Sequence, residues 1–160
     1  MTQPEQPPTP DVLHKADILA HIGEVGDELA SQGLTGTLVV VGGSYMALHD
    51  LRDSTADVDS VTRLSDEIKA VITTIATRHG LRPDWLNDNA AMFSPAGLNE
   101  DDCDVLFQHT NLTILGPPAS QVFLMKLSAS RAPDHDDMIA LWPYCTFGEA
   151  AAAVDAYYLA

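Results

Sequence analysis

Leu38-Val39-Val40-Val41, running directly into Gly42-Gly43-Ser44, constrains the fold more than any other stretch of this 160-residue chain. Residues 37–41 form a short β-branched apolar run, a buried strand by length and composition. The glycine pair turns the chain, and residues 44–51 read as a helix packed behind the turn. Glycines let a backbone approach a ligand closely, and a helix starting at Ser44 points N–H groups at an anion. Gly42, Gly43 and Ser44 are thus candidates for holding phosphate oxygens. The same residues also suit an ordinary strand-to-helix turn with Ser44 as N-cap. This is not a Walker A loop, because no Gly-Lys-Ser/Thr follows. Met46 stands where a nucleophile elbow needs glycine, and the chain holds no G-x-G-x-x-G.

About a dozen residues on, Asp57-Val58-Asp59 opens a second strand, expected over residues 57–62. Residues two apart on a strand share a face, so Asp57 and Asp59 point the same way. Two ionised carboxylates so placed repel and call for a cation between them. Hard oxygen donors select Mg²⁺ or Mn²⁺, and such ions clamp the oxygens of a phosphoryl displacement. A solvated strand edge in an acidic protein would look the same. The order of turn, hydroxyl and carboxylate pair is what favours phosphate chemistry.

The rest of the chain reads as helix over 11–31, with Asp11 as cap and Gly33 as stop. A helix over 65–77 follows, capped by Ser65 and ended by Gly80. Residues 81–97 read as irregular, with Trp85 and Phe93 as core anchors. Strands are expected at 103–108 and 112–115, a strong helix at 120–131, and a helical turn or two at 134–141. A last helix, to Leu159, is entered through a Thr146/Glu149 capping box. Pro133 kinks or interrupts the helical stretch around it. This order predicts one mixed α/β (α+β) domain over residues 11–160. Residues 1–10, with four prolines, read as a disordered leader without the features of a signal peptide.

Two further groups stand out. Asp104, with Asp102 as the competing choice, opens an apolar strand after the acidic run 100–102. It is a candidate third carboxylate, or simply part of a solvated acidic loop. Lys126 sits in an apolar stretch, with Arg131, Asp134 and Asp137 after it. It would contact phosphate oxygens or an interior carboxylate, or snorkel from a helix face.

Charge narrows the partners. Eight Lys plus Arg stand against 23 Asp plus Glu, a formal net charge of −15. Nucleic-acid binders gain much of their affinity from basic faces, and this chain offers at most a small one. Cys103 and Cys145 fit no metal or redox spacing and read as reduced thiols. No apolar run approaches a membrane span, so a cytoplasmic protein without a membrane partner is expected.

Val41-Gly42-Gly43-Ser44, then Arg52-x-Ser54-Thr55-x-Asp57-Val58-Asp59, resembles the opening "G-G-[ST/A]…R-x-[ST]-x-D-[IV]-D" of minimal nucleotidyltransferases with the DNA polymerase β type fold. Asp84-Trp85-Leu86-Asn87-Asp88 resembles a "D-W-L-N-D" element of a bacterial group within them. Met125-Lys126-Leu127-x-Ala129-x-Arg131-x-x-Asp134-x-x-Asp137 resembles that group's "M-K-L-x-A-x-R-x-R-D-x-x-D-[IL]", with Pro133 in place of an arginine. This last segment also recurs in the toxins of AbiE-type and MenT-type toxin–antitoxin pairs. The resemblance implies a small mixed sheet flanked by helices, with further helices at the C-terminus. It implies Mg²⁺ or Mn²⁺ on Asp57 and Asp59, which Asp104, a candidate from its own position rather than from the resemblance, would join as third ligand. An NTP would be held by Gly42, Gly43, Ser44, Arg52, Lys126 and Arg131, with Lys126 and Asp137 completing a catalytic set. It further implies NMP transfer to an acceptor hydroxyl, with tRNA as the toxins' acceptor, an antitoxin as partner, and Thr55 as a regulatory phosphorylation position. A non-catalytic nucleotidyltransferase-like module is the alternative.

Overall fold

The computed structural model describes residues 12–95 and 97–159; the expected leader and the Asp11 cap lie outside them. The expected mixed α/β architecture is observed. A five-stranded sheet has the order β5-β4-β2-β7-β6, formed by β2 (Gly36–Val41), β4 (Val58–Ser60), β5 (Leu86–Asn87), β6 (Asp104–His109) and β7 (Leu112–Gly116). The central strand β2 runs parallel to β7 and antiparallel to β4. A two-stranded ribbon pairs β1 (Leu13–His14) with β3 (Ser54–Thr55). Among the described residues no helix is long and apolar enough to cross a membrane.

The described residues also hold six α-helices: α1 (Lys15–Ser31), α2 (Gly42–Leu48), α3 (Asp66–His79), α4 (Ala119–Ala129), α5 (Ala132–Leu141) and α6 (Ala150–Leu159). Helix α1 starts later than its apolar pattern suggests, because Leu13 and His14 are drawn into the ribbon. Its first turn is closed by the His14 N–H donating to Asp17 Oδ2 at 2.9 Å. Helix α3 ends as its sequence dictates. Ser65 Oγ accepts from the Ile68 N–H, and Gly80 takes φ = 66° in the left-handed region. The helical stretch around Pro133 is interrupted rather than kinked: α4 ends at Ala129, and Pro133 occupies the first turn of α5, where its missing N–H costs nothing. Thr146 does not cap α6; its N–H instead donates to Ser120 Oγ at 2.8 Å, tying the approach to α6 onto the start of α4.

The sheet separates the apolar interior into layers. Ile18, Ile22, Val25 and Leu29 of α1 and Val71, Ile72 and Ile75 of α3 pack on the face carrying Leu38, Val40, Val58, Leu112 and Ile114. Each such side chain contributes about 1.5–3 kcal/mol by leaving water. The other face carries Val39, Val41, Val61 and Leu115, with Met125 of α4 against them. The C-terminal helices form a third cluster with Tyr45 and Met46 of α2, built on Val122, Phe123 and Leu141. The segment expected to be irregular holds β5, which pairs in parallel with β4, and Trp85 is 1% exposed as expected. Phe93 is no core anchor: it is 73% exposed.

Candidate active site

The site begins where β2 ends. Gly42 has φ = 66°, and a Cβ there would lie 3.2 Å from Asp59 Oδ2. A Cβ on Gly43 would lie 2.5 Å from both Arg52 Nη1 and Thr55 Oγ1. The two glycines thus let a carboxylate, a guanidinium and a hydroxyl close on one turn of backbone. Thr55 is held from below by donating to the Asp57 carbonyl at 3.1 Å. Ser44 turns inward: it is 1% exposed, its hydroxyl donates to the Val41 carbonyl at 2.9 Å, and it lines neither cavity described below.

Asp59 pairs with Val41 across the β2–β4 ladder and with Asn87 across β4–β5. Asp57 lies one residue before β4 and lines one hollow together with Asp59. Burial pushes both carboxyls above their ordinary range. Repulsion from Asp59 adds to the effect on Asp57, against the Arg82 guanidinium 3.6 Å away. On Asp59 burial is opposed by a hydrogen bond from Asn87 and by the charges of Arg131 and Lys126, while Asp84 adds to it. Ionising both carboxyls is therefore opposed by burial, and on Asp57 also by the neighbouring charge of Asp59.

Lys126 does not snorkel. It is 6% exposed and lies between two buried carboxylates, 3.3 Å from Asp134 Oδ1 and 2.7 Å from Asp137 Oδ2. Leu127, on the same helix, is half-buried, and Ala129 is exposed. Asp134 also accepts from the Arg131 N–H and Nε, both at 3.1 Å. Burial works to raise the Asp134 carboxyl, but Arg131 and Lys126 outweigh it and hold it low. Arg52 Nη1 stands 3.8 Å from Asp137 Oδ2, so the cluster reaches the Gly43 turn. The break between α4 and α5 makes this possible. Ser130 in the left-handed region and Pro133 in the next first turn fold Asp134 and Asp137 back over Lys126.

Two adjoining hollows open onto this assembly, of about 700 Å³ and 750 Å³. Gly42, Asp59, Lys126, Arg131 and Asp134 line both. The first has an apolar wall of Ala90, Phe93, Val122 and Met125. The second is walled by Gly43, Arg52, Thr55 and Asp57. Of the chain's eight Lys and Arg residues, Arg52, Lys126 and Arg131 line the hollows and Arg82 stands against Asp57.

Asp104 does not join the pair. Asp59 shares a face with Val41 and Val39, Val39 pairs with Leu115, and Leu115 pairs with Val105. Asp104, next to Val105, therefore faces the other side of the sheet. Its charge is felt there by Tyr45, pushed up to about 12 chiefly by burial, and by His49. Asn87, Arg82, Asp84 and Phe93 reach the site although their own spacing gives no sign of it. The signal was the Asp84-Trp85-Leu86-Asn87-Asp88 element, whose strand lies beside β4.

A mixed sheet with a glycine turn, an adjacent carboxylate pair and a basic cluster beyond it is a nucleotidyltransferase-like fold. Residues 17–141 match the family model described as "Nucleotidyltransferase of unknown function (DUF6036)", and the chain belongs to that family. No curated protein and no solved structure matches it.

Proposed function

We propose that this protein transfers NMP from an NTP to an acceptor hydroxyl, with Mg²⁺ or Mn²⁺ held by Asp57 and Asp59. The observation that carries this reading is the gathering of half the chain's cations around one carboxylate pair in a molecule of net charge −15. The donor set fits a hard divalent ion: two carboxylates raised by burial, with Asn87 beside Asp59 to fix its orientation. Bound there, the ion supplies charge neutralisation at the phosphoryl group under attack. Arg131, with its side chain 76% exposed, and Arg52 meet the remaining phosphate charge. The backbone at Gly42 and Gly43 approaches the phosphates, and Phe93 and Met125 cover a base. Lys126 and Asp137 position this machinery from beneath. The work is placement and charge stabilisation.

Calorimetry with each NTP in Mg²⁺ or Mn²⁺ tests the proposal. Metal-dependent binding, abolished by Asp57→Asn with Asp59→Asn, is expected. Folded protein that binds no NTP with either metal would overturn it. A narrower form, a growth-arresting toxin that modifies tRNA and is held by an antitoxin, predicts arrest on expression that Asp57→Ala relieves. Phosphorylation of Thr55 would load charge against the crowded Gly43 turn and block the second hollow. The position of Asp104 on the far face favours a second reading, a nucleotide-binding module without transfer. Labelled nucleotide passed to any RNA, protein or small acceptor would end that reading.

A further inference from the structure

On the opposite face of the sheet from Asp57 and Asp59, helices α1 and α3 bring His21, Glu24 and His79 together. One ligand atom from each lies within 4.8 Å of the others. His21 and Glu24 are three apart on α1 and so share a face of the helix. His79 is the last residue of α3, where Gly80 at φ = 66° turns the chain away and leaves the imidazole beside α1. Glu24 is divided between its two oxygens. Oε1 accepts from Arg78 Nη1 at 3.0 Å, whereas Oε2 contacts His79 Nε2 and stands 3.9 Å from His21 Nδ1. His21 Nδ1 is buried without a hydrogen-bond partner. One imidazole nitrogen is thus desolvated, unpaired and facing an oxygen that another imidazole already shares.

We propose that His21 Nδ1, Glu24 Oε2 and His79 Nε2 form a site for Zn²⁺ or a similar borderline divalent metal. Two imidazoles and one carboxylate are a zinc donor set, and a water would take the fourth position. Tetrahedral zinc holds its ligand atoms about 3.3 Å apart, so the three need to shift by only about 1 Å. Arg78 fixes the carboxylate through Oε1 and leaves Oε2 to the metal. The metal clamps α1 to α3 over Trp85, whose indole is edge-on to His21. Binding replaces the hydrogen bond between His79 Nε2 and Glu24 Oε2 with two bonds to the metal. The site is structural and separate from the carboxylate pair, whose hard oxygen donors suit Mg²⁺.

The test uses the full chain carrying Asp57→Asn and Asp59→Asn, stripped of metal with chelator, so that the carboxylate pair contributes nothing. Titration with Zn²⁺ is expected to show one site per chain and a raised Tm. Co²⁺ is expected to give the visible bands of a four-coordinate ion with nitrogen ligands. His79→Gln, at a half-exposed helix end, is expected to weaken Zn²⁺ by at least about tenfold, since losing a ligand costs no less than losing a group that orients one. His21→Gln is expected to do the same, with circular dichroism checking its fold. No Zn²⁺ binding by the folded chain, or binding that His79→Gln leaves unchanged, would overturn the proposal. Because both aspartates are already removed, neither result bears on the nucleotidyl-transfer reading.

Discussion

Replacing Lys126 with methionine tests the ion cluster beneath the hollows most sharply. The side chain is nearly isosteric, so the change removes charge with little change in volume. It leaves Asp134 and Asp137, 3% and 5% exposed, without the cation between them. Arg131 still serves Asp134, and Arg52 is 3.8 Å from Asp137, so compensation is partial. Removing one partner from a buried ion pair costs roughly 3–5 kcal/mol. For a chain of this size each kcal/mol moves Tm by roughly 2–4 °C, so a fall of roughly 6–20 °C is expected at pH 7. The pH dependence adds a second reading of the same cause. Asp134 is held low in the folded protein, so its stabilisation is present above its unfolded pKa and is lost as pH falls through the folded value. In Lys126→Met that carboxyl protonates more readily. The deficit relative to wild type therefore shrinks as pH falls toward about 4. Urea unfolding followed by circular dichroism at both pH values measures it. A triple variant, Lys126→Met with Asp134→Asn and Asp137→Asn, is expected to recover much of the loss, since no buried charge is then orphaned. A loss under about 1 kcal/mol at pH 7, or a deficit that grows in acid, would refute the reasoning.

Asp57→Asn is expected to stabilise the metal-free protein at neutral pH. The wild-type carboxyl is raised by burial and by Asp59, so its contribution falls as pH rises past its unfolded value of about 3.9. Residues two apart on an extended chain are about 7 Å apart by strand rise, and charges at that spacing repel by about 2 kcal/mol at an effective dielectric of about 20. The variant also gives up the ion pair with Arg82, which leaves a net gain of about 1 kcal/mol. A Tm rise of roughly 2–4 °C should appear by scanning fluorimetry at pH 7 and vanish in acid. Phe93→Ala is expected to leave Tm unchanged because the ring is exposed, while weakening NTP binding by roughly 5- to 150-fold if the ring stacks on a base; calorimetry reads the second effect. Gly43→Ala drives a methyl against Arg52 and Thr55, so a loss of about 1–3 kcal/mol and of NTP binding is expected from denaturation and calorimetry.

What could be read from the sequence was whatever local pattern controls. The strand into Gly42, the Ser65 and Gly80 ends of α3, and the convergence of Asp57 and Asp59 on one hollow follow from period and turn chemistry. What escaped depends on partners distant in sequence. Strand β5 is two residues long and has no period to detect; it exists because the Val58 N–H finds the Trp85 carbonyl. Asp104 sits on a strand as expected, but which face it takes is set by a register running through β7 and β2. Lys126 looks like a snorkelling lysine until α5 brings two carboxylates back across the break at Ser130. Phe93 resembles a core residue by type alone, and no pattern around it says otherwise.

The clustering of Arg52, Lys126, Arg131 and Arg82 has a kinetic consequence. With a divalent ion on Asp57 and Asp59, a nucleotide within a few ångströms of the hollows meets net positive charge, but from farther away it meets the field of a molecule with net charge −15. Attraction is short-ranged and repulsion long-ranged, so the far field opposes approach. Added salt, with a Debye length of about 10 Å at 0.1 M, screens the distant charges more than the close ones. Nucleotide capture should accelerate as ionic strength rises at fixed free metal, the reverse of an enzyme that steers its anionic substrate in from afar.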